Sequence, residues 1–460
     1  MKILLTHGYF LQEDEKEQLI MRPYPPLGLL YISAYLEQNG IENEVYDATF
    51  SNLSAMKKYL LHLQPDVIGI YTNLMTKLNV LKIIQFIKTE PALQKIKIVL
   101  GGPEVRSHKE KFLEYGADII VFGEGEVTML ELVQAFGSSA DIDLQHINGI
   151  AFWNNGKMVV TAERILIRDI NQLPFPNRKK INLQLYFNAW KKKHGMSMVN
   201  VNTMRGCPYS CKWCSRAVYG ASYRRRSPGL VVDEMQWLQE NYRFDMIWFV
   251  DDVFTISHKW LHEFAAEVNR RNLAIPYEII TRSDRVTEEV LVLLKKSGCA
   301  RVWIGAESGS QKVIDAMDRR VEVGQVRETI KLVKAQGMEA GTFIMLGYPG
   351  EDESDIKETL AHLKYSNPDK YTITVAYPIK GTPLYNEVEN IFTEKLPWES
   401  STDREIDFKR RYKRAYYNRA IQWINYEMLF HRNTKNLHSY IIKLKSLKAR
   451  GMMWMNKITG

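Results

Sequence analysis

The chain has 460 residues, 45% hydrophobic and 25% charged, which bounds it to a globular protein of two or three domains with ample core. No run approaches the roughly 18 apolar residues of a membrane span. The N-terminus is too short for a signal peptide before acidic residues begin, so a cytoplasmic setting is expected. The net charge of +9 is uneven: from Arg404 to Gly460 there are 14 Lys/Arg against three acids, so this tail alone exceeds the total.

Residues 1–136 alternate short apolar runs with amphipathic stretches. Lys2–Thr6, Glu44–Tyr46, Asp66–Tyr71, Lys97–Leu100 and Asp118–Phe122 read as strands. Leu27–Gln38, Leu53–Leu63, Lys77–Lys88, Lys109–Tyr115 and Val127–Phe136 read as helices. Near-continuous apolar strands separated by helices predict an α/β fold with a doubly wound parallel sheet. Such sheets bind ligands beyond the carboxyl ends of their strands. Gly101-Gly102-Pro103-Glu104 and Gly123-Glu124-Gly125-Glu126 fall there, where glycine lets backbone approach a large ligand. Over 137–195, Ile147–Trp153 and Lys157–Ile167 flank Asn154-Asn155-Gly156 as a hairpin. Leu173-Pro174-Phe175-Pro176 then reads as a linker, and no chemistry is expected of this part.

A second alternation fills 196–385. Ser197–Thr203 leads straight into Arg205-Gly206-Cys207-Pro208-Tyr209-Ser210-Cys211-Lys212-Trp213-Cys214, which holds three of the chain's four cysteines. The spacing Cys-x3-Cys-x2-Cys suits three ligands of one soft metal centre rather than a disulfide framework. A structural zinc would need a fourth ligand nearby, and no Cys or His follows for two dozen residues. The reading is therefore an iron–sulfur cluster with one open iron.

Five further strands are expected at Met246–Val250, Tyr277–Thr281, Arg301–Gly305, Glu339–Met345 and Tyr371–Val375, with helices between them. Six βα units predict a partial TIM-type barrel, whose reactive groups project from strand ends. At those ends stand Asp251-Asp252, Arg282-Ser283-Asp284, Gly305-Ala306-Glu307-Ser308-Gly309-Ser310, Phe343–Glu351 and Tyr377–Tyr385.

The cysteine loop and these ordered motifs resemble the radical S-adenosylmethionine (radical SAM) superfamily over about 1–385. The glycine-edged sheet, together with Pro25-Pro26-Leu27-Gly28, resembles the cobalamin-binding domain of its cobalamin-dependent branch. The resemblance implies a 4Fe–4S cluster on Cys207, Cys211 and Cys214, with S-adenosylmethionine on the open iron. Reductive cleavage of its sulfonium would give a 5′-deoxyadenosyl radical. Trp213, Asp251, Asp252, Arg282, Glu307, Ser308, Ile344 and Leu346 would surround S-adenosylmethionine, the last two reading adenine through their backbone. Thr72, Gly101, Gly102, Glu104, Gly123 and Glu124 would border cobalamin. His7 falls where some cobalamin proteins carry a cobalt-binding histidine, but Leu5 and Phe10 replace the flanking Asp and Gly, so His7 is expected in a loop and off the metal.

The implied function is C-methylation of an unactivated carbon in a small-molecule substrate, fed by an electron donor such as flavodoxin or ferredoxin. Radical cyclisation or rearrangement is the alternative, and an RNA-associated binding protein is the alternative of another class. Cys299 falls at the amino end of a strand and reads as a buried structural thiol. The tail over 386–460 reads as a helical cap with a solvated basic face; membrane-surface contact and nucleic-acid contact are the alternatives, with no RNA-binding module visible.

Overall fold

The computed structural model describes residues 1–138, 143–433 and 437–458; the parts of the 137–195 and 386–460 expectations that fall on 139–142, 434–436 and 459–460 lie outside the described residues. The first sheet is built from β1 (Ile3–His7), β2 (Glu44–Tyr46), β3 (Val67–Tyr71), β4 (Lys97–Gly101) and β5 (Ile119–Val121), all parallel in the order β2-β1-β3-β4-β5. Alternate residues leave its two faces for separate cores. Leu4, Ile68, Ile70, Ile98, Leu100 and Ile120 pack on one side, and Ile3, Leu5, Val67, Val99, Ile119 and Val121 on the other. Burial on both faces is why these strands are apolar without alternation.

The predicted hairpin forms as β6 (Ile150–Asn154) and β7 (Lys157–Val160), and it extends the same sheet antiparallel beyond β5. A helix over Leu183–His194 follows, where only a linker was expected. Its Leu183, Tyr186 and Phe187 enter the core of the next unit, a burial that a Lys-rich sequence end obscures. Arg178 fastens this connection, donating to the Asn200 carbonyl at 2.7 Å and to Glu234 at 2.8 Å.

The second unit starts with β8 (Met198–Val201) and a two-stranded ribbon, β9 (Met204–Arg205) with β10 (Arg224–Arg225), which brackets the cysteine loop. The remaining strands are β11 (Met246–Phe249), β12 (Tyr277–Thr281), β13 (Cys299–Glu307), β14 (Glu339–Leu346) and β15 (Lys370–Val375). With β8 they run parallel in the order β15-β14-β13-β12-β11-β8, so β15 and β8 are the two edges of an open sheet. This is the expected open (βα)6 half-barrel. Cys299 is the first residue of β13, is buried, and lies at the end of the strand away from the cysteine loop.

The tail is only partly helical. Residues 392–411 form an irregular strap, as expected of a stretch holding Pro397 and the turn formers Ser400–Asp403. Trp398 inserts among Phe112, His108 and Tyr115 of the first unit. Two helices, Arg414–Arg432 and Leu437–Ile458, then cover the barrel.

Candidate functional site

The carboxyl ends of the two sheets face one another across a chamber of about 520 Å³. Its sheet side is formed by strand ends and glycines, including Gly69, Gly101, Gly102, Gly123 and Gly125; its barrel side by Asn200, Val218, Tyr219, Trp248, Val250 and Ile280. Pro25–Gly28 close a third side and dock directly on the barrel, where Asn200 donates to the Pro25 carbonyl at 3.0 Å.

Glycine is required at Gly102. It sits at φ 105°, and a Cβ there would strike the Thr72 carbonyl. Thr72 itself is buried beneath this turn, donating its N–H to Gly101 at 2.7 Å, so it shapes the rim rather than lining the chamber. At Gly69 a Cβ would meet Leu5 and Met129, which would narrow the chamber along the sheet face.

Glu124 has partners that its sequence position does not disclose. Its carboxylate accepts from Arg205 at 2.8 Å, from Arg224 at 2.8 Å and from the Ile167 N–H at 2.7 Å. Arg205 also reaches Glu126 at 2.5 Å. The glycine-acid loop after β5 thus borders the chamber and clamps the base of the cysteine loop. Glu104 turns away from the chamber toward His108, Lys77 and Asp403, where burial and the Asp403 charge raise its carboxyl to about 7. His7 ends β1 instead of lying in a loop. Its Nδ1 accepts from the Tyr9 N–H at 3.1 Å and its Nε2 faces Asp47 at 3.0 Å, so neither ring nitrogen is free for a metal.

The remaining ionisable groups of the chamber are similarly held. Glu17 is hydrogen-bonded to Tyr9, and burial raises the phenols of Tyr9, Tyr24, Tyr71 and Tyr219 above their ordinary range. The walls therefore present rings, aliphatic groups and acids already paired within the protein.

At the barrel mouth, Cys211 is buried, Cys207 half-buried and Cys214 exposed. Desolvation and the nearby Asp252 carboxylate raise the thiols of Cys207 and Cys214, the latter to about 12. Two guanidiniums address the Cys211 sulfur, Arg319 at 3.7 Å and Arg282 at 4.0 Å. No group of three or more His, Cys, Asp or Glu among the described residues is gathered for a single metal ion. Three sulfurs with adjacent cationic N–H donors instead fit a larger anionic centre such as an iron–sulfur cluster.

The other strand-end residues divide into two sets. Asp252 is exposed beside the thiols, and Glu307, at a register shift between β13 and β14 and at φ 64°, lies 3.8 Å from Arg319. Trp213 packs against the small apolar cluster around Val313, Met317 and Tyr348 and lies under Arg319 at 5.7 Å. The second set is turned inward. Asp251 accepts from the Thr203 N–H at 2.7 Å, the Thr203 hydroxyl and the Met204 N–H at 3.2 Å, anchoring the lead-in to the cysteine loop. Ser308 faces Thr359 at 3.2 Å, and Ile344 and Leu346 place their side chains in the barrel core. Arg282 spends donors on Asp284 and on the Arg319 carbonyl, each at 2.8 Å, with its face over Tyr209.

Arg319 and Arg205 are the functional candidates that sequence reasoning missed. Arg319 sits between Asp318 and Arg320, both at positive φ, in a loop without a motif. For Arg205 the signal was its place directly before Gly206-Cys207.

Comparison with known proteins agrees with this arrangement. The Radical SAM superfamily matches residues 201–363, and a B12 binding domain matches residues 21–133. An uncharacterized methyltransferase of Pyrococcus horikoshii is 28% identical, the match covering 87% of this chain and 86% of the relative. The anaerobic magnesium-protoporphyrin IX monomethyl ester cyclase of Rubrivivax gelatinosus is 27% identical, over 84% of this chain and 70% of the relative. Among solved structures, the cobalamin-dependent S-adenosylmethionine radical enzyme OxsB with aqua-cobalamin bound superposes with a TM-score of 0.74 at 16% identity, covering 98% of this chain and 76% of the other.

Proposed function

From the premise that the chain belongs to the radical SAM superfamily, in the branch that carries a B12-binding domain, we propose that it transfers a methyl group to an unactivated carbon of a small-molecule substrate. A radical SAM core takes a 4Fe–4S cluster and S-adenosylmethionine, and a B12-binding domain takes cobalamin. When bound, these groups supply a carbon-centred radical and a methyl carrier.

The supporting observation is the shared chamber and the pairing of its lining acids. His7, Glu17, Glu124 and Glu126 are all paired within the protein, which leaves acid–base chemistry without a free lining carboxylate or imidazole. An unactivated C–H bond needs no such group if the reactive species comes from a cofactor. In this reading, Cys207, Cys211 and Cys214 hold the cluster, while Arg319 and Arg282 stabilise charge at the Cys211 sulfur. Asp252 and Glu307 are the carboxylates that would meet the amino group or hydroxyls of S-adenosylmethionine, a role that the exposure of Asp252 supports. Gly101, Gly102 and Gly123 let the sheet ends approach cobalamin, and the apolar barrel side excludes water from the radical. An electron donor such as flavodoxin or ferredoxin reduces the cluster.

The test is anaerobic reconstitution with iron, sulfide, cobalamin and S-adenosylmethionine. Formation of 5′-deoxyadenosine and S-adenosylhomocysteine, with a product heavier by one methylene, supports methyl transfer. Absence of both nucleosides across substrate candidates overturns it. The cyclase similarity favours one second reading, cyclisation, which would give 5′-deoxyadenosine with a product of no added carbon.

A further inference from the structure

The last helix, Leu437–Ile458, has two apolar faces, and the fold uses one. Ala449 and Met453 are buried in the barrel core, and Ile442 is buried on the same side. On the opposite side Tyr440, Leu444, Leu447 and Trp454 recur at spacings of four, three and seven residues, a single stripe of an α-helix. They are exposed by 72%, 66%, 53% and 61%. Single exposed apolar residues are ordinary, but an ordered row along more than three turns is a docking surface.

The charge around the stripe selects its partner. The helix carries Lys443, Lys445, Lys448, Arg450 and Lys457 and not one Asp or Glu. Glu427 holds Lys443 at 2.7 Å and Glu353 holds Lys457 at 2.8 Å, so against a second copy related by a two-fold axis the helix would set Lys445, Lys448 and Arg450 against the same three, which disfavours a dimer. An anionic bilayer satisfies both features: apolar side chains enter the acyl boundary while Lys and Arg remain among the headgroups. Tyr440 and Trp454, near opposite ends of the row, are residue types that settle at a membrane interface.

A second observation points the same way. A pocket of about 290 Å³ lies against the helix, and Leu447 belongs to both pocket and stripe. Lys357, Lys364, Lys443 and Arg450 line it; Glu427 holds Lys364 at 2.6 Å and Lys443 at 2.7 Å, and Glu353 outside the lining holds Lys357 at 2.8 Å, which leaves four cations on two acids. Arg450 lies over the Trp423 ring at 5.7 Å. The excess of cations suits a phosphate-bearing headgroup beside the inserted row.

We propose that this face docks the enzyme on an anionic phospholipid surface, with the last helix lying in the interface plane. The inference does not rest on the reaction assigned to the chamber. It is tested by flotation of the full-length protein with phosphatidylcholine vesicles and with the same vesicles containing phosphatidylglycerol. The protein should float with the anionic vesicles only, and less as salt rises. Lys445→Gln with Lys448→Gln should weaken partitioning about fivefold per cation removed. Leu444→Glu with Trp454→Glu should abolish flotation while circular dichroism and melting stay unchanged, since both side chains face solvent.

Four results would overturn the proposal. They are a wild-type protein that stays below both vesicle types, a glutamate variant that still floats, a dimer in light scattering that Leu444→Glu splits without any vesicle binding, and RNA retention in place of vesicle binding. If the glutamate variant fails to fold, the two lysine substitutions still decide the matter.

Discussion

Arg205, two residues ahead of Cys207, donates to Glu124 of the glycine loop after β5 at 2.8 Å, with both side chains buried. One guanidinium therefore ties the start of the cysteine loop to the rim of the chamber. Glu126 and Arg224 complete the network at 2.5 and 2.8 Å. On the proposed function, the relative placement of the two cofactor sites would be fixed by this buried ion-pair network rather than by a flexible linker.

Removing one member of such a network leaves its partner charged and buried, which costs about 3–5 kcal/mol. Arg205→Met is expected to lower stability by that amount in denaturant titration, because Glu126 then loses its guanidinium and Glu124 keeps only Arg224. Glu124→Gln should cost less, since the amide oxygen still accepts. Both variants should release cobalamin more readily than wild type in anaerobic equilibrium dialysis. Unchanged stability in Arg205→Met would show that the network contributes nothing.

The three loop cysteines and Cys299 should separate cleanly. Cys207→Ala, Cys211→Ala and Cys214→Ala are each expected to abolish the iron–sulfur absorbance and 5′-deoxyadenosine formation while the protein stays folded. Cys299 is buried at the far end of β13 and touches the Arg301 carbonyl at 3.5 Å, so Cys299→Ala should keep a full cluster and lose only about 1 kcal/mol of packing. Iron and sulfide analysis with melting curves checks each variant.

What could be read from the sequence follows from how locally each feature is encoded. Most strands of the two sheets are apolar runs because they are buried on both faces, so the fold was legible, and the cysteine loop stands out because Cys207, Cys211 and Cys214 lie within eight positions. Side-chain partners were not. Asp251 and Asp252 are adjacent, yet Asp251 is spent on Thr203 and Met204 across the sheet while Asp252 faces the thiols. Glu124 sits in a motif that suggests a ligand, but its partner is 81 residues away. Arg319 approaches Cys211 across 108 residues from a loop without periodicity, and only the folded chain brings them together.

Arg319 places an N–H donor 3.7 Å from the Cys211 sulfur and is further held by the Gly305 carbonyl at 2.9 Å. Hydrogen bonds and positive charge at cluster sulfurs raise reduction potential. Arg319→Met should therefore move the cluster midpoint to a more negative value in a potentiometric titration followed by paramagnetic resonance. Arg319→Lys should fall between the two, since it keeps the charge and loses the forked geometry.

Gly102 and Gly123 make a matched pair. Both have positive φ, 105° and 90°, but only at Gly102 would a Cβ strike backbone, at the Thr72 carbonyl; at Gly123 nothing lies within 4 Å. Gly123→Ala is expected to cost the conformational strain alone, about 1–3 kcal/mol. Gly102→Ala must also displace the Thr72 turn that shapes the chamber rim. It should therefore lose more stability and more cobalamin affinity, read by melting and by the absorption of bound cofactor.

Glu351 gives the fold a pH dependence of known sign. Its carboxyl is fully buried behind the loop after β14, where Oε2 accepts from the Gly347 N–H at 2.5 Å and Oε1 has no partner. Burial, reinforced by Asp355 and Asp352, raises it to about 8. A carboxyl raised on folding stabilises the protein fully while the unfolded chain is also protonated. That contribution is lost progressively as pH climbs from the ordinary glutamate range to about 8, where the folded carboxyl ionises too. Wild-type stability should fall by a few kcal/mol across this window and then level. Glu104, raised to about 7, supplies a parallel slope, so Glu351→Gln should flatten the profile in part. Denaturant midpoints measured from acid to alkaline pH check this. A Glu351→Gln profile as steep as wild type would place the titration elsewhere.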